Sequence, residues 1–138
     1  MDNNTAYEIS RIFAATQKQL FDAFTDGPTL KKIWGVQSIS VDPRVGGTAN
    51  AKYIVGDQNW SFTITYLEIV SSEKLRWITH FESFPSKETK VTLLIKKAGQ
   101  GTELVVRMEN FETPQERDNN KRAWEGALMT LEGLLAQP

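Results

Sequence analysis

Trp60-Ser61-Phe62-Thr63-Ile64-Thr65-Tyr66 sets a large apolar or aromatic side chain at every second position, with a small hydroxyl residue between each pair. Successive side chains of a strand point to opposite faces, so this stretch is a β-strand with one aromatic face and one polar face. The pattern recurs on both sides of it. Leu75, Trp77, Thr79 and Phe81 follow the turn Ser71-Ser72-Glu73-Lys74, and Val91, Leu93 and Ile95 alternate with Thr92, Leu94 and Lys96. Leu104, Val106 and Met108 return after Gly99-Gln100-Gly101. Upstream, residues 48–55 place Ala49, Ala51, Tyr53 and Val55 on one face and reach the central strand through Gly56-Asp57-Gln58-Asn59. An earlier apolar run, 36–41, stops at Asp42-Pro43-Arg44-Val45-Gly46-Gly47. Strands this close in sequence, joined by hairpin-length turns, form an antiparallel meander.

The flanks supply the layer that covers the aromatic face. Residues 7–13 alternate as a first strand, although Arg11 interrupts the side that carries Tyr7, Ile9 and Phe13. Thr16 and Gln19 have capping-box spacing ahead of Leu20, Phe21 and Phe24, which predicts a short helix. Asp26-Gly27-Pro28 breaks it. A second helix over 28–34 follows, opened by Pro28 and closed by Gly35 in the left-handed conformation. At the other end, Thr113-Pro114-Gln115-Glu116 opens a third helix with Trp124, Leu128, Leu131 and Leu135 on one side. About 22 residues at 1.5 Å each make a rod of roughly 33 Å, enough to cross about six or seven strands. The expected class is α+β: a curved antiparallel sheet of about six or seven strands, two short helices after the first strand, and a long C-terminal helix across the concave face. A rod against a curved sheet leaves space that side chains either fill or line.

The chain of 138 residues is the size of one domain, expected over 6–138 behind a disordered tail at 1–5. It has no cysteine and one histidine, so disulfides, thiolate metal sites and cysteine nucleophiles are excluded. Lys plus Arg number 16 and Asp plus Glu 17, a balance that gives no footprint for nucleic acid or an anionic membrane. No apolar run is long enough for a membrane span, and the polar N-terminus lacks the features of a signal peptide. A cytoplasmic protein is the expectation.

Order and spacing along the chain carry a resemblance. Its pieces are Ile9-Ser10-Arg11-Ile12 with Ala15 and Phe21, Thr25-Asp26, Trp34, Gly46-Gly47, Leu67-Glu68-Ile69-Val70, Leu75-Arg76-Trp77 and Gly101-Thr102-Glu103-Leu104. Trp124, Leu128 and Leu131 complete it on the last helix. The chain resembles the START/birch-allergen-like (SRPBCC) helix-grip superfamily. Within it, the chain is similar to the family named for the C-terminal domain of the activator of the heat-shock-protein-ninety ATPase. It departs from that family in having Ala123, not glycine, before Trp124. The eukaryotic activator also has a separate N-terminal domain that engages the chaperone, for which this length leaves no room. The resemblance therefore implies the helix-grip fold and a tendency to bind apolar or aromatic small molecules, not chaperone activation.

Under that expectation Trp60, Phe62, Ile64, Trp77 and Phe81 line the sheet side of a cavity, with Tyr53, Tyr66, Val91 and Leu93 beside them. Trp124, Leu128 and Leu131 line the helix side. Trp34 closes the second helix as a mouth or a plug. Taken singly, each of these is an ordinary core residue; the fold makes them candidates as a set. Tyr53, Tyr66, Thr79 and Arg107 are the polar candidates to face inward, and strand register decides all four. His80 has the parity opposite to Trp77 and reads as an exposed or edge position. Glu68 and Glu73 read as turn residues, and no metal-ligating set, catalytic set or cofactor is expected. Arg117, Lys121 and Arg122 form a solvated helix face. The loop from Phe81 to Lys87 offers Phe84 as a gate or a partner contact.

Three functions follow in order. The first is binding of an apolar or aromatic small molecule. The second is a protein-interaction module of the co-chaperone kind. The third is a cyclase- or aromatase-like enzyme, which requires Tyr53, Tyr66 and Arg107 to converge. Both a monomer and a homodimer remain open.

Overall fold

The structure, a computed structural model, describes residues 6–81, 84–111 and 113–136. In chain order it comprises β1 (Ala6–Phe13), α1 (Gln17–Ala23), α2 (Gly27–Trp34), β2 (Ser38–Val41), β3 (Thr48–Val55), β4 (Gln58–Val70), β5 (Lys74–Phe81), β6 (Phe84–Ala98), β7 (Gly101–Glu109) and α3 (Pro114–Leu135). The seven strands form one curved antiparallel sheet in the order β1-β7-β6-β5-β4-β3-β2. β2 to β7 are a meander, and β1 closes the far side on β7. This is the helix-grip α+β fold.

The caps sit where the residue types demand. Thr16 accepts from the amide of Gln19, whose side chain reaches back to the Thr16 amide, so two orphan donors of α1 are satisfied reciprocally. Asp26 caps α2, and Gly35 ends it at a φ of 65°, a conformation that penalises any Cβ. The Thr113 hydroxyl accepts from the Glu116 amide at 3.1 Å to open α3.

The register follows the aromatic alternation. Phe62 pairs with Ala51 on one side and Phe81 on the other, and Tyr66 pairs with Trp77. Ile64, Tyr66, Leu75, Trp77, Val91, Leu93, Ile95, Leu104, Val106 and Met108 are buried on the concave face beneath Trp124, Ala127, Leu128 and Leu131 of α3. Arg11, the charge on the inner side of β1, meets Glu132 of α3 at 2.6 Å. The last turn of α3 thus supplies the partner that lets an arginine stand on this face.

Three expectations are corrected. β4 continues past Tyr66. The register shifts between Tyr66 and Glu68, and the strand continues to Val70. Glu68 is therefore a strand residue, not a turn residue. It faces Lys74 at 3.3 Å and Arg76 at 3.4 Å, and these hydrogen-bonding cations lower its carboxyl pKa. The extra residue at Leu67 resets the alternation, so Ile69 is paired with buried Leu75. β6 begins at Phe84, so 84–87 are strand and not loop, with Phe84 paired to Phe81 across a shift in register. The gating role considered for the Phe84 side chain, like the expected tail at 1–5, lies outside the described residues. Arg107 lies on the outer face, exposed and 3.4 Å from Glu109, because Val106 and Met108 take the inner positions of β7.

His80 is on the outer face as its parity predicts, in a central strand and 3.6 Å from Glu88.

Candidate functional site

α2 ends at Trp34 because Gly35 turns the chain sharply there, and this throws the indole inward between sheet and helix. Its ring meets Phe62 at 5.8 Å, Trp77 at 6.2 Å and Trp124 at 6.3 Å, each near edge-to-face. Trp77 and Trp124 stack at 6.4 Å across the gap between β5 and α3. Phe62 continues the cluster to Tyr53 at 6.0 Å and Phe81 at 5.6 Å. Ring pairs at these separations each add about 0.5–1.5 kcal/mol beyond simple burial, so the walls are stiff.

A pocket of about 350 Å³ lies within this aromatic frame. Its sheet wall is Tyr53 and Ile54 of β3, Phe62 and Ile64 of β4, Trp77, Thr79 and Phe81 of β5, with Val91 and Met108 behind. Ile33 to Val36 bound one end, and Asn120, Ala123, Trp124 and Ala127 on the middle turns of α3 form the roof. The small side chains of buried Ala127 and, at the exposed rim, of Ala123 leave room there. None of the described lining residues is charged at neutral pH. Its polar groups are the Thr79 and Tyr53 hydroxyls, the indole N–H groups and the Asn120 amide.

The predicted residues divide into two groups. Trp34, Tyr53, Phe62, Ile64, Trp77, Phe81, Val91 and Trp124 line the pocket. Trp60, Tyr66, Leu93, Leu128 and Leu131 do not. Trp60 pairs with Tyr53 near the β3–β4 turn and lies beyond the pocket's end. Tyr66 is buried behind Trp77, ring to ring at 6.2 Å, and burial pushes its phenol up to about 12. Leu93, Leu128 and Leu131 belong to the packed core. There the leucines of α3 fill the space that Ala127 leaves open over the pocket. Of the polar candidates, Tyr53 and Thr79 face the pocket, Tyr66 is inward but behind it, and Arg107 is outside. The set of Tyr53, Tyr66 and Arg107 is not assembled.

Asn120, Ala123 and Ala127 were not predicted. Asn120 and Ala127 lie four residues before and three after Trp124, the spacing that shares a helix face. The signal was present, but an eye for large apolar side chains passes over alanine and asparagine.

A larger groove of about 670 Å³ runs between the α1–α2 connection and the end of α3. Its rim carries exposed Gln19, Asp22, Asp26 and Lys32, and it is a surface depression without the aromatic frame. Among the described residues no group of histidine, aspartate or glutamate could hold a metal ion, and no helix is long and apolar enough to cross a membrane.

The family described as "Activator of Hsp90 ATPase homolog 1-like protein" matches residues 14–136. No curated protein matches the chain. Among solved structures, a protein from Chromobacterium violaceum is similar at 21% identity and a TM-score of 0.87, covering 97% of this chain and 99% of that one. One from Rhodobacter sphaeroides is 25% identical with a TM-score of 0.81, covering 96% and 93%. A Plasmodium falciparum protein described as an HSP90 activator is 21% identical with a TM-score of 0.79, covering 97% and 98%.

Proposed function

Since the chain belongs to the Activator of Hsp90 ATPase homolog 1-like family, we propose that it works by binding an apolar or aromatic small molecule in the pocket roofed by Trp124. The carrying observation is the pocket itself: about 350 Å³, framed by six aromatic side chains and free of lining charge. That volume falls at the small end of ligand sites, which are mostly apolar with a few placed polar groups. An empty apolar hollow costs stability, because its lining side chains lose contacts on one side. A small apolar guest restores those contacts and leaves water at the same time.

The test uses the protein's own tryptophans. Trp34, Trp77 and Trp124 all touch the pocket, so their fluorescence reports occupancy directly. Titration with uncharged aromatic compounds, and separately with aliphatic ones, should give saturable quenching by one class. No saturable response from either class would overturn the reading.

A co-chaperone-like interaction is the second reading, supported by the similarity to the Plasmodium falciparum HSP90 activator. Among the described residues, the exposed large apolar ones, Ile12, Val45, Ile54, Leu67, Val70 and Met129, are spread over β1, the β2–β3 loop, β3, β4 and α3. A docking face needs such residues gathered in one patch, which makes this the weaker of the two.

A further inference from the structure

The roof of the pocket holds one polar group whose orientation is fixed by a residue outside it. The Tyr7 hydroxyl, from β1, donates to Asn120 Oδ1 at 2.6 Å. That length suits O–H···O geometry and is short for an amide N–H donor, so the amide oxygen is the atom that Tyr7 holds. Tyr7 is buried and stacked on Phe111 at 5.8 Å, so it cannot swing away. Burial, and secondarily the charge of Glu125, raises its phenol pKa and keeps the hydroxyl protonated as a donor.

With Oδ1 engaged, the Asn120 NH2 group has no protein partner among the described residues. Asn120 is part of the pocket lining. A carboxamide held in this way keeps both N–H donors free and only one oxygen lone pair. The Thr79 and Tyr53 hydroxyls differ, since each can rotate to donate or accept. Asn120 is thus a fixed donor in an uncharged aromatic chamber.

We infer that the ligand is an uncharged ring compound carrying a hydrogen-bond acceptor, of the aryl ketone class, whose carbonyl oxygen accepts from Asn120 Nδ2 while its ring lies against the wall formed by Trp34, Trp77 and Trp124. This rests on the pocket being a ligand site, as proposed above. The absence of charge on the lining selects against carboxylates, because an ion moved there loses its hydration with no partner in return. Tyr7 acts as a positioning residue: it touches the amide, not the ligand.

Acetophenone, ethylbenzene and benzoate share a ring and differ only in this respect. Isotope-labelled protein titrated with each reads both affinity and the side-chain amide resonances of Asn120. Acetophenone and ethylbenzene should bind, benzoate should not, and only acetophenone should shift the Asn120 amide protons. Asn120→Leu should weaken acetophenone by about 3- to 10-fold, the effect of one net hydrogen bond, and leave ethylbenzene unchanged or tighter. Tyr7→Phe should shrink the acetophenone-induced shift at Asn120 while ethylbenzene affinity holds. If both neutral probes bind but the Asn120 amide ignores acetophenone, or Asn120→Leu weakens the two alike, this inference fails and the pocket reading stands. Preferred binding of benzoate also overturns it. If none of the three probes binds, the pocket reading falls and takes this inference with it.

Discussion

Tyr66 shows how one side chain can be informative without belonging to the site. A phenol in water ionises near pH 10, and burial behind Trp77 pushes that of Tyr66 up to about 12. Below pH 10 the group is neutral in both folded and unfolded chains and contributes no pH dependence. Between pH 10 and about 12 the unfolded chain loses its proton first, so unfolding is favoured and stability falls as pH rises. Tyr7 is shifted in the same direction. Denaturant midpoints measured from pH 9 to 11.5 should therefore decline, and Tyr66→Phe should flatten part of the decline. An identical slope in the two proteins would place Tyr66 in water. The Arg11–Glu132 contact is a useful contrast: both side chains are a third or more exposed, and such pairs contribute about 0–1 kcal/mol.

Among the elements, α3 carries the most consequence, because it seals the core at one end and roofs the pocket at the other. Its N-cap at Thr113 holds the first turn, next to the stretch that presents Asn120. Thr113→Ala should cost about 1 kcal/mol by thermal or chemical unfolding. Leu131→Ala, at the packed end, should cost about 2–5 kcal/mol, since the residue is fully buried. Equal costs for the two substitutions would contradict the description of α3 as cap-stabilised at one end and core-anchored at the other.

The elements themselves were legible in the sequence. Trp60 to Tyr66, Thr16 with Gln19 and Thr113 with Glu116 each carry a local rule that tertiary packing had no reason to override. The bulge at Leu67 was not legible, since one inserted residue leaves no mark in composition. Nor was the outward placement of Arg107 legible, because a charged residue in a strand faces whichever side its register dictates. The site was half legible. The large aromatics announce themselves at spacing two. The hollow owes its room to Ala127, whose part is to be small, and one of its polar groups depends on a tyrosine 113 positions away in sequence.

Over the whole molecule the helix and sheet meet in two ways. Leu128 and Leu131 help fill the interior at one end. Over Trp77, Thr79 and Phe81 the middle turns of the same helix, from Asn120 to Ala127, leave about 350 Å³. The functional reading depends on that second region being hollow, and hollowness is a thermodynamic property as well as a shape. Adding a side chain to a filled core forces neighbours off their rotamers and costs about 1–3 kcal/mol. Adding it to an empty pocket restores lost contacts instead. Ala127 is buried and lines the pocket, which makes Ala127→Leu the direct probe. Chemical denaturation of this variant should show stability unchanged or raised, with tryptophan quenching by small aromatic ligands abolished. A loss of about 1–3 kcal/mol with quenching intact would mean that the space beneath α3 is already filled.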